Sequence, residues 1–223
     1  MKKPLKEVRL RNGLVIEGDR DIGAIWGEIF EPAVADVYGS AESDADLIID
    51  IGANIGSFST FAAYTHPSAR VWCFEPEAVV ADQAERNFKR NKIGNVTLIR
   101  SPVTRDGREV RFARQDNRGA SNIYTSTQDE VTMSSVTLDR VDFAGAKSLF
   151  LKLDCEGAEG EIIDWLIENR SKLPKSIQVA GEYHHWCPIP KAESVRKLRD
   201  AGFNVIESRI FASSYLFAKQ KIA

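Results

Sequence analysis

The chain has 223 residues, 43% of them hydrophobic and 28% charged, a balance that excludes a disordered chain and suits one domain with a sizeable core. Its net charge of −2 supplies no global positive field for nucleic acid. The opening MKKPLKEVRLRNG has lysines without an apolar segment behind them, so neither a signal peptide nor a membrane span is expected.

The first 45 residues read as an extension. EVRLRNGLVIEG is a hairpin about Asn12-Gly13, and IGAIWGEIF a short helix. A core follows over 46–223, alternating strand and helix. DLIIDIG is an apolar run suited to a strand buried on both faces, and SFSTFAAYT is the helix after it. ARVWCFEP is the next strand. Pro76 is suited to a first helical turn, where its missing N–H costs nothing, and the helix that follows groups Val79, Ala84 and Phe88 and ends near Gly94. NVTLIRS is a third strand. Residues 105–138 break the rhythm with two β-rich runs around a polar stretch, which predicts an inserted β-arm. SLFLKLD, AEGEIIDWLIENR, SIQVAGEYH and KAESVRKLRDAG restore strand and helix, with Gly202 at the last helix end. FNVIESRI and SYLFAKQK close the chain as a β-pair. The order predicts a doubly wound α/β sheet with an antiparallel strand at one edge.

Cys73, Cys155 and Cys187 are an odd set without metal-ligand spacing, as expected of reduced thiols in a cytoplasmic protein. Cys73 and Cys155 fall in apolar runs and read as small hydrophobes.

In open α/β sheets ligands bind beyond the carboxyl ends of the strands. The residues there are Asp50, Glu75, Ser101, Asp154 and Glu182, four of them acids. Gly52 and Gly56 bracket Ala53-Asn54-Ile55. Gly52 suits a positive φ beside a ligand, and Gly56 a tight contact between loop and helix. Asn54 replaces the middle glycine of the dinucleotide pattern, and Asp50 would repel a pyrophosphate, which disfavours a nicotinamide oxidoreductase. Glu75, 25 residues after Asp50, suits two ribose hydroxyls. A nucleoside cofactor with a cationic tail fits all of this. In S-adenosylmethionine the ribose would meet Glu75, the ammonium would lie near Asp50, and the carboxylate would meet the loop amides. The cofactor set is Asp50, Gly52, Ala53, Asn54, Gly56, Glu75, Pro76 and Ser101.

DIGANIGSFS, CFEP and LKLDCEGAEGEIID, in this order and spacing, resemble the motifs of the FkbM-type methyltransferases. The resemblance covers Asp19 to His184 and extends loosely to the last strands. It implies an S-adenosylmethionine-dependent enzyme with a Rossmann-like seven-stranded sheet and an antiparallel last strand. It also implies O-methylation of sugars or natural-product hydroxyls. The first 18 residues and the insert match less clearly, and substrate choice is expected there.

Strand alternation puts Lys152, Asp154 and Glu156 on one face, with Leu151, Leu153 and Cys155 on the other. A Lys in such a strand is either part of a structural ion pair or close to a site. In GEYHHW, Glu182 and His184 share a face. A His is suited to take a hydroxyl proton, unless it merely packs on Trp186. Asp154, His184, Lys152 and Glu182 are the catalytic candidates, with Lys152 holding the acceptor. A metal-free site is expected; Mg²⁺ on Asp154, Glu156 and Glu182 is the alternative. The expected partner is a small-molecule or glycan acceptor, with no nucleic acid; oligomeric state is left open. A cofactor-binding module without catalysis is the competing function.

Overall fold

A computed structural model describes residues 6–10, 12–18, 38–114, 121–210 and 213–221. The short helix expected over 22–30 lies outside the described residues. The strands are β1 (Lys6–Arg9), β2 (Val15–Gly18), β3 (Leu47–Ile51), β4 (Arg70–Phe74), β5 (Val96–Ile99), β6 (Glu109–Ala113), β7 (Glu130–Ser134), β8 (Ser148–Leu153), β9 (Ser176–Glu182), β10 (Asn204–Ile210) and β11 (Ser213–Lys221). The α-helices are α1 (Ser57–Thr65), α2 (Ala78–Arg90), α3 (Glu159–Glu168) and α4 (Lys191–Asp200).

Seven strands form one sheet in the order β10-β11-β9-β8-β3-β4-β5. β3, β4, β5, β8 and β9 are parallel, and β11 runs antiparallel to both of its neighbours. The sequence placed the antiparallel strand at an edge. It lies instead between β9 and β10, because β11 is the more apolar of the closing pair. Tyr215, Leu216 and Ala218 of β11 are buried, whereas Ile206 of the edge strand β10 is 61% exposed.

Both faces of the parallel strands are covered, as their apolar runs require. Leu47, Ile49 and Ile51 join Leu149, Leu151 and Leu153 against α3 and α4 through Ile162, Trp165 and Leu198. Ile48 and Phe150 point the other way, into Phe58 and Ala62 of α1 and into Tyr38. Asp50 and Lys152 share that second face and are register partners across β3 and β8. No helix among the described residues is long and apolar enough to cross a membrane.

Several local expectations shift. Val79 is 53% exposed, and Val80 is buried in its place. Val80, Ala84 and Phe88 keep the i, i+4, i+8 spacing that one buried helix face demands. Pro76 precedes the N-cap Glu77 rather than entering the first turn. α2 ends before Gly94: Lys92 takes the left-handed position at φ 55, and the Ile93 amide returns to Phe88 O at 2.9 Å. Gly202 closes α4 as expected, at φ 85.

The predicted hairpin forms from β1 and β2, with Arg9 opposite Val15. It is fastened to α2 by two side-chain amides. Asn91 accepts from Val15 N and donates to Val15 O, at 2.8 and 2.7 Å, and Asn87 does the same for Glu17 at 2.9 and 3.0 Å. The predicted β-arm is the separate antiparallel pair β6–β7. It is clamped to α3 by a bidentate contact of Arg108 with Glu161, at 2.8 and 3.0 Å.

Candidate active site

β3 and β8 are adjacent, but the helices that follow them cover opposite faces of the sheet. Open α/β sheets bind ligands where the connections diverge in this way, and the expected residues gather at these carboxyl ends.

On the β3–β4 side, Gly52 has φ 80 and Asn54 φ 52. The loop amides are all committed within the protein. Gly52 N and Ala53 N donate to Phe74 O, Asn54 N to Glu75 Oε2, Ile55 N to Asn54 Oδ1, and Gly56 N to Ala53 O. The expectation that these amides receive a cofactor carboxylate is therefore corrected. Unpartnered donors lie one turn later, where Ser57 Oγ and Thr60 Oγ1 are buried without a hydrogen-bond partner. Glu75 is 8% exposed and is held by Asn54 N at 2.9 Å and Glu77 N at 2.8 Å. Burial pushes its carboxyl up to about 7, against the pull of those two amides. Ser101 donates its hydroxyl to Ser134 O of β7 at 2.8 Å, which ties it to the β-arm.

Gly56 is required by packing, since a Cβ there would meet Phe88 at 2.7 Å. At Gly52 a Cβ would stand 1.8 Å from the carbonyl oxygen of Asp154. The glycine thus lets β8 approach the loop as well as supplying the positive φ. Gly52→Val should force the β8 end away and cost about 3 kcal/mol or more. A thermal melt within a degree or two of wild type would reject this contact.

Asp50 is wholly buried. Its Oδ2 accepts from Ser59 Oγ at 2.6 Å, and its Oδ1 lies 3.0 Å from Lys152 Nζ. Lys152 thus already stands as a cation against Asp50 where the sequence placed the cofactor ammonium, although Oδ1 accepts no hydrogen bond. Lys152 also donates to Gly52 O at 2.8 Å, lies 3.7 Å from Asp154 Oδ2, and sits over the rings of Tyr38 and Phe58. Burial alone would lower its pKa, but the Asp50 and Asp154 charges outweigh burial and raise it. Lys152 is the buried ion pair of the two readings. It holds carboxylates rather than reaching an acceptor.

At the ends of β8 and β9 the structure gathers three of the four catalytic candidates. Asp154, Glu182 and His184 each offer a ligand atom, all within 4.8 Å of one another. Asp154 Oδ2 accepts from Tyr38 OH at 3.2 Å. Strand alternation stops after Leu153, because Glu156 adopts φ 55 and turns the chain. Cys155 therefore lies in the turn beyond β8, and Glu156 reaches His184 Nε2 at 3.5 Å by that turn. Gly157 has φ 111, and a Cβ on it would press on Tyr124 of the arm at 2.9 Å.

Glu159 is the principal residue that the sequence reading left without a role. It opens α3, is fully buried, and accepts from His184 Nδ1 at 2.8 Å, Gly157 N at 3.1 Å and Cys155 N at 3.2 Å. Burial draws the His184 imidazolium down, but the Glu159 hydrogen bond and the charges of Glu159, Asp154 and Glu156 push it up to about 9. That direction favours the charged ring and weakens His184 as the group that takes a proton. Burial also pushes Glu156 up to about 8. His184 lies tilted against Trp186, with ring centroids 4.7 Å apart, while Tyr183 turns away to Ser194 and His185 is exposed. Burial holds the Cys73 and Cys155 thiols protonated, consistent with packing roles. A cavity of about 310 Å³ opens where the arm meets this turn, lined by Arg108, Tyr124, Gly157, Glu161 and Ile189.

A family model described as the methyltransferase FkbM domain matches residues 50–205. The 31-O-demethyl-FK506 methyltransferase FkbM of Streptomyces tacrolimicus is 30% identical, over 92% of this chain and 92% of that protein. The methyltransferase sdnD of Sordaria araneosa is 24% identical, over 83% of each. Among solved structures, the precorrin-6y C5,15-methyltransferase of Geobacter metallireducens GS-15 superposes with a TM-score of 0.54 at 17% identity, covering 86% of this chain and 89% of that one. The methyltransferase yhhF of Escherichia coli gives 0.53 at 13% identity, covering 98% and 100%. These two support the Rossmann-like fold. The matched family span runs from Asp50 past Glu182 and His184, so it takes in these strand ends, with Tyr38 outside it. The chain belongs to the FkbM family of methyltransferases, and its cofactor is S-adenosylmethionine.

Proposed function

We propose that this enzyme methylates a hydroxyl oxygen of a small polyhydroxylated molecule, a sugar or a natural product, in the cytoplasm. The observation that carries the reading is the convergence of Asp154, Glu182 and His184 at two adjacent strand ends. A carbon or an amine acceptor has less need of such a carboxylate-rich face than an alcohol, whose proton must leave. The Streptomyces tacrolimicus relative is named for a 31-O position. S-adenosylmethionine supplies an electrophilic methyl on a sulfonium.

The protein's own share is placement and proton handling. Glu75 holds the ribose hydroxyls. Ser57 and Thr60, in the first turn of α1, are suited to a carboxylate because their hydroxyls are buried without partners. Lys152 fixes Asp50 and steadies Asp154 from below. Asp154, more open than His184 at 26% side-chain exposure against 8%, meets the acceptor hydroxyl and receives its proton. Tyr124 and Trp186 flank the turn and bound the acceptor.

The test is a turnover screen with labelled methyl donor over sugars, glycosylated natural products and hydroxylated lipids, with product analysis by mass spectrometry and NMR. An O-methyl product is expected. A C- or N-methyl product would overturn the oxygen acceptor, and tight cofactor binding without any turnover would favour a binding module.

A further inference from the structure

We propose that Asp154, Glu182 and His184 bind a divalent transition-metal ion. The ion's use, as the holder of the acceptor oxygen with Asp154 as its ligand instead of the free proton acceptor proposed above, rests on the methyltransferase reading; its binding does not. This departs from the metal-free site expected from sequence.

The geometry brings three ligand groups to one place. The three ligand atoms lie within 4.8 Å of one another, on residues fixed by the ends of β8 and β9. Glu159 Oε1 accepts from His184 Nδ1 at 2.8 Å, which sets the ring and directs Nε2 into the cluster. A carboxylate on the far nitrogen is the usual support of a metal-bound imidazole. Tyr38 and Lys152 approach Oδ2 of Asp154, and Oδ1 is the oxygen that faces Nε2, at 3.9 Å. That gap is too long for a hydrogen bond and slightly under two metal–ligand bonds of about 2.1 Å laid end to end. The widest spacing, 4.8 Å, needs a small side-chain rotation to close on an ion.

A second observation comes from the carboxylates packed around His184. Glu159 Oε2 and Glu156 Oε2 are buried without a hydrogen-bond partner, and Glu159 is 0% exposed. Glu156 Oε2 lies 3.5 Å from Nε2, so acceptor capacity is in excess around one imidazole. The Lys152 ammonium is committed to Asp50 and the Gly52 carbonyl. Buried acceptor oxygens in excess of their donors are costly, and a bound cation would satisfy them in place of added protons. Two carboxylates and one imidazole suit Mn²⁺ or Fe²⁺ better than Mg²⁺ or Ca²⁺, which favour oxygen alone. Three protein ligands leave positions open for acceptor oxygens. A rival arrangement puts only a proton on Nε2.

The experiment titrates Mn²⁺ into the full chain, following the free-ion signal by electron paramagnetic resonance, with and without S-adenosylhomocysteine. One ion per chain is expected. Asp154→Asn and His184→Gln should abolish binding, and Glu159→Gln should weaken it about 10–100-fold, while S-adenosylhomocysteine affinity stays near wild type in all three. Manganese should also raise the melting temperature of the unaltered protein, which keeps the test valid if a variant misfolds. A free-ion signal unchanged by protein that binds S-adenosylhomocysteine would overturn the site. So would binding that survives both ligand substitutions. Stoichiometric binding without methyl transfer would instead count against the methyltransferase reading alone.

Discussion

Asp154→Asn should lower kcat by about 10²–10⁴-fold, the range set by loss of a positioned proton acceptor. The substitution keeps shape and removes charge. The oxygen that accepts from Tyr38 OH remains available, so the 3.2 Å contact can persist. The side chain stands at the rim, 26% exposed, so no large cavity or buried orphan is created. Binding of S-adenosylhomocysteine should stay close to wild type, because the ribose and carboxylate contacts proposed above lie just beyond β4 and on α1. The loss should therefore appear in kcat rather than in cofactor affinity. A kcat within threefold of wild type, in protein that binds cofactor normally, would remove Asp154 from the chemistry. The case for Asp154 over His184 rests on exposure. His184 is wedged between Glu159 and Trp186, with Nδ1 already donated.

Much of this arrangement was legible in sequence because it depends on strand ends and periodicity. The apolar runs became the central strands β3 and β8, and the acids at their ends are the ones Lys152 and His184 meet. Alternation predicted correctly that Glu182 and His184 share a face while Tyr183 faces away. Alternation then failed at Glu156, since a residue at φ 55 leaves the strand path and nothing in KLDCEG announces it. Partners were less legible than positions. The Lys152–Asp50 pair depends on the register between two strands about a hundred residues apart, which the sequence does not encode locally. Tyr38 lies in an irregular segment without periodicity, yet it reaches Asp154. Glu159 stood inside a quoted motif, but its role appears only when β9 brings His184 against the start of α3. The loop amides misled for a related reason: parallel β4 supplies Phe74 O to two of them.

Glu75→Ala should weaken S-adenosylmethionine and S-adenosylhomocysteine together, by about 10²–10⁴-fold. Two charge-assisted hydrogen bonds to the ribose, each worth about 1.5–3 kcal/mol, set that range. Each Glu75 oxygen already accepts one backbone amide, from Asn54 or Glu77, and each keeps a second lone pair for a hydroxyl. Glu75→Gln is not a mild alternative, because its amide nitrogen would face one of those N–H donors. The pH dependence follows from burial, which raises the free protein's carboxyl to about 7 from its usual 4.5. The group's contribution to the stability of the free protein is full below about 4.5 and is lost as pH rises through about 7. Ribose hydroxyls donate to the ionised form and draw the pKa back down. Cofactor binding at pH 6 to 7 should therefore release a proton, and affinity should fall as pH drops below about 7. Calorimetric titration in buffers of different ionisation enthalpy measures that proton directly. Zero release, together with an unchanged affinity in Glu75→Ala, would confine Glu75 to bracing the loop.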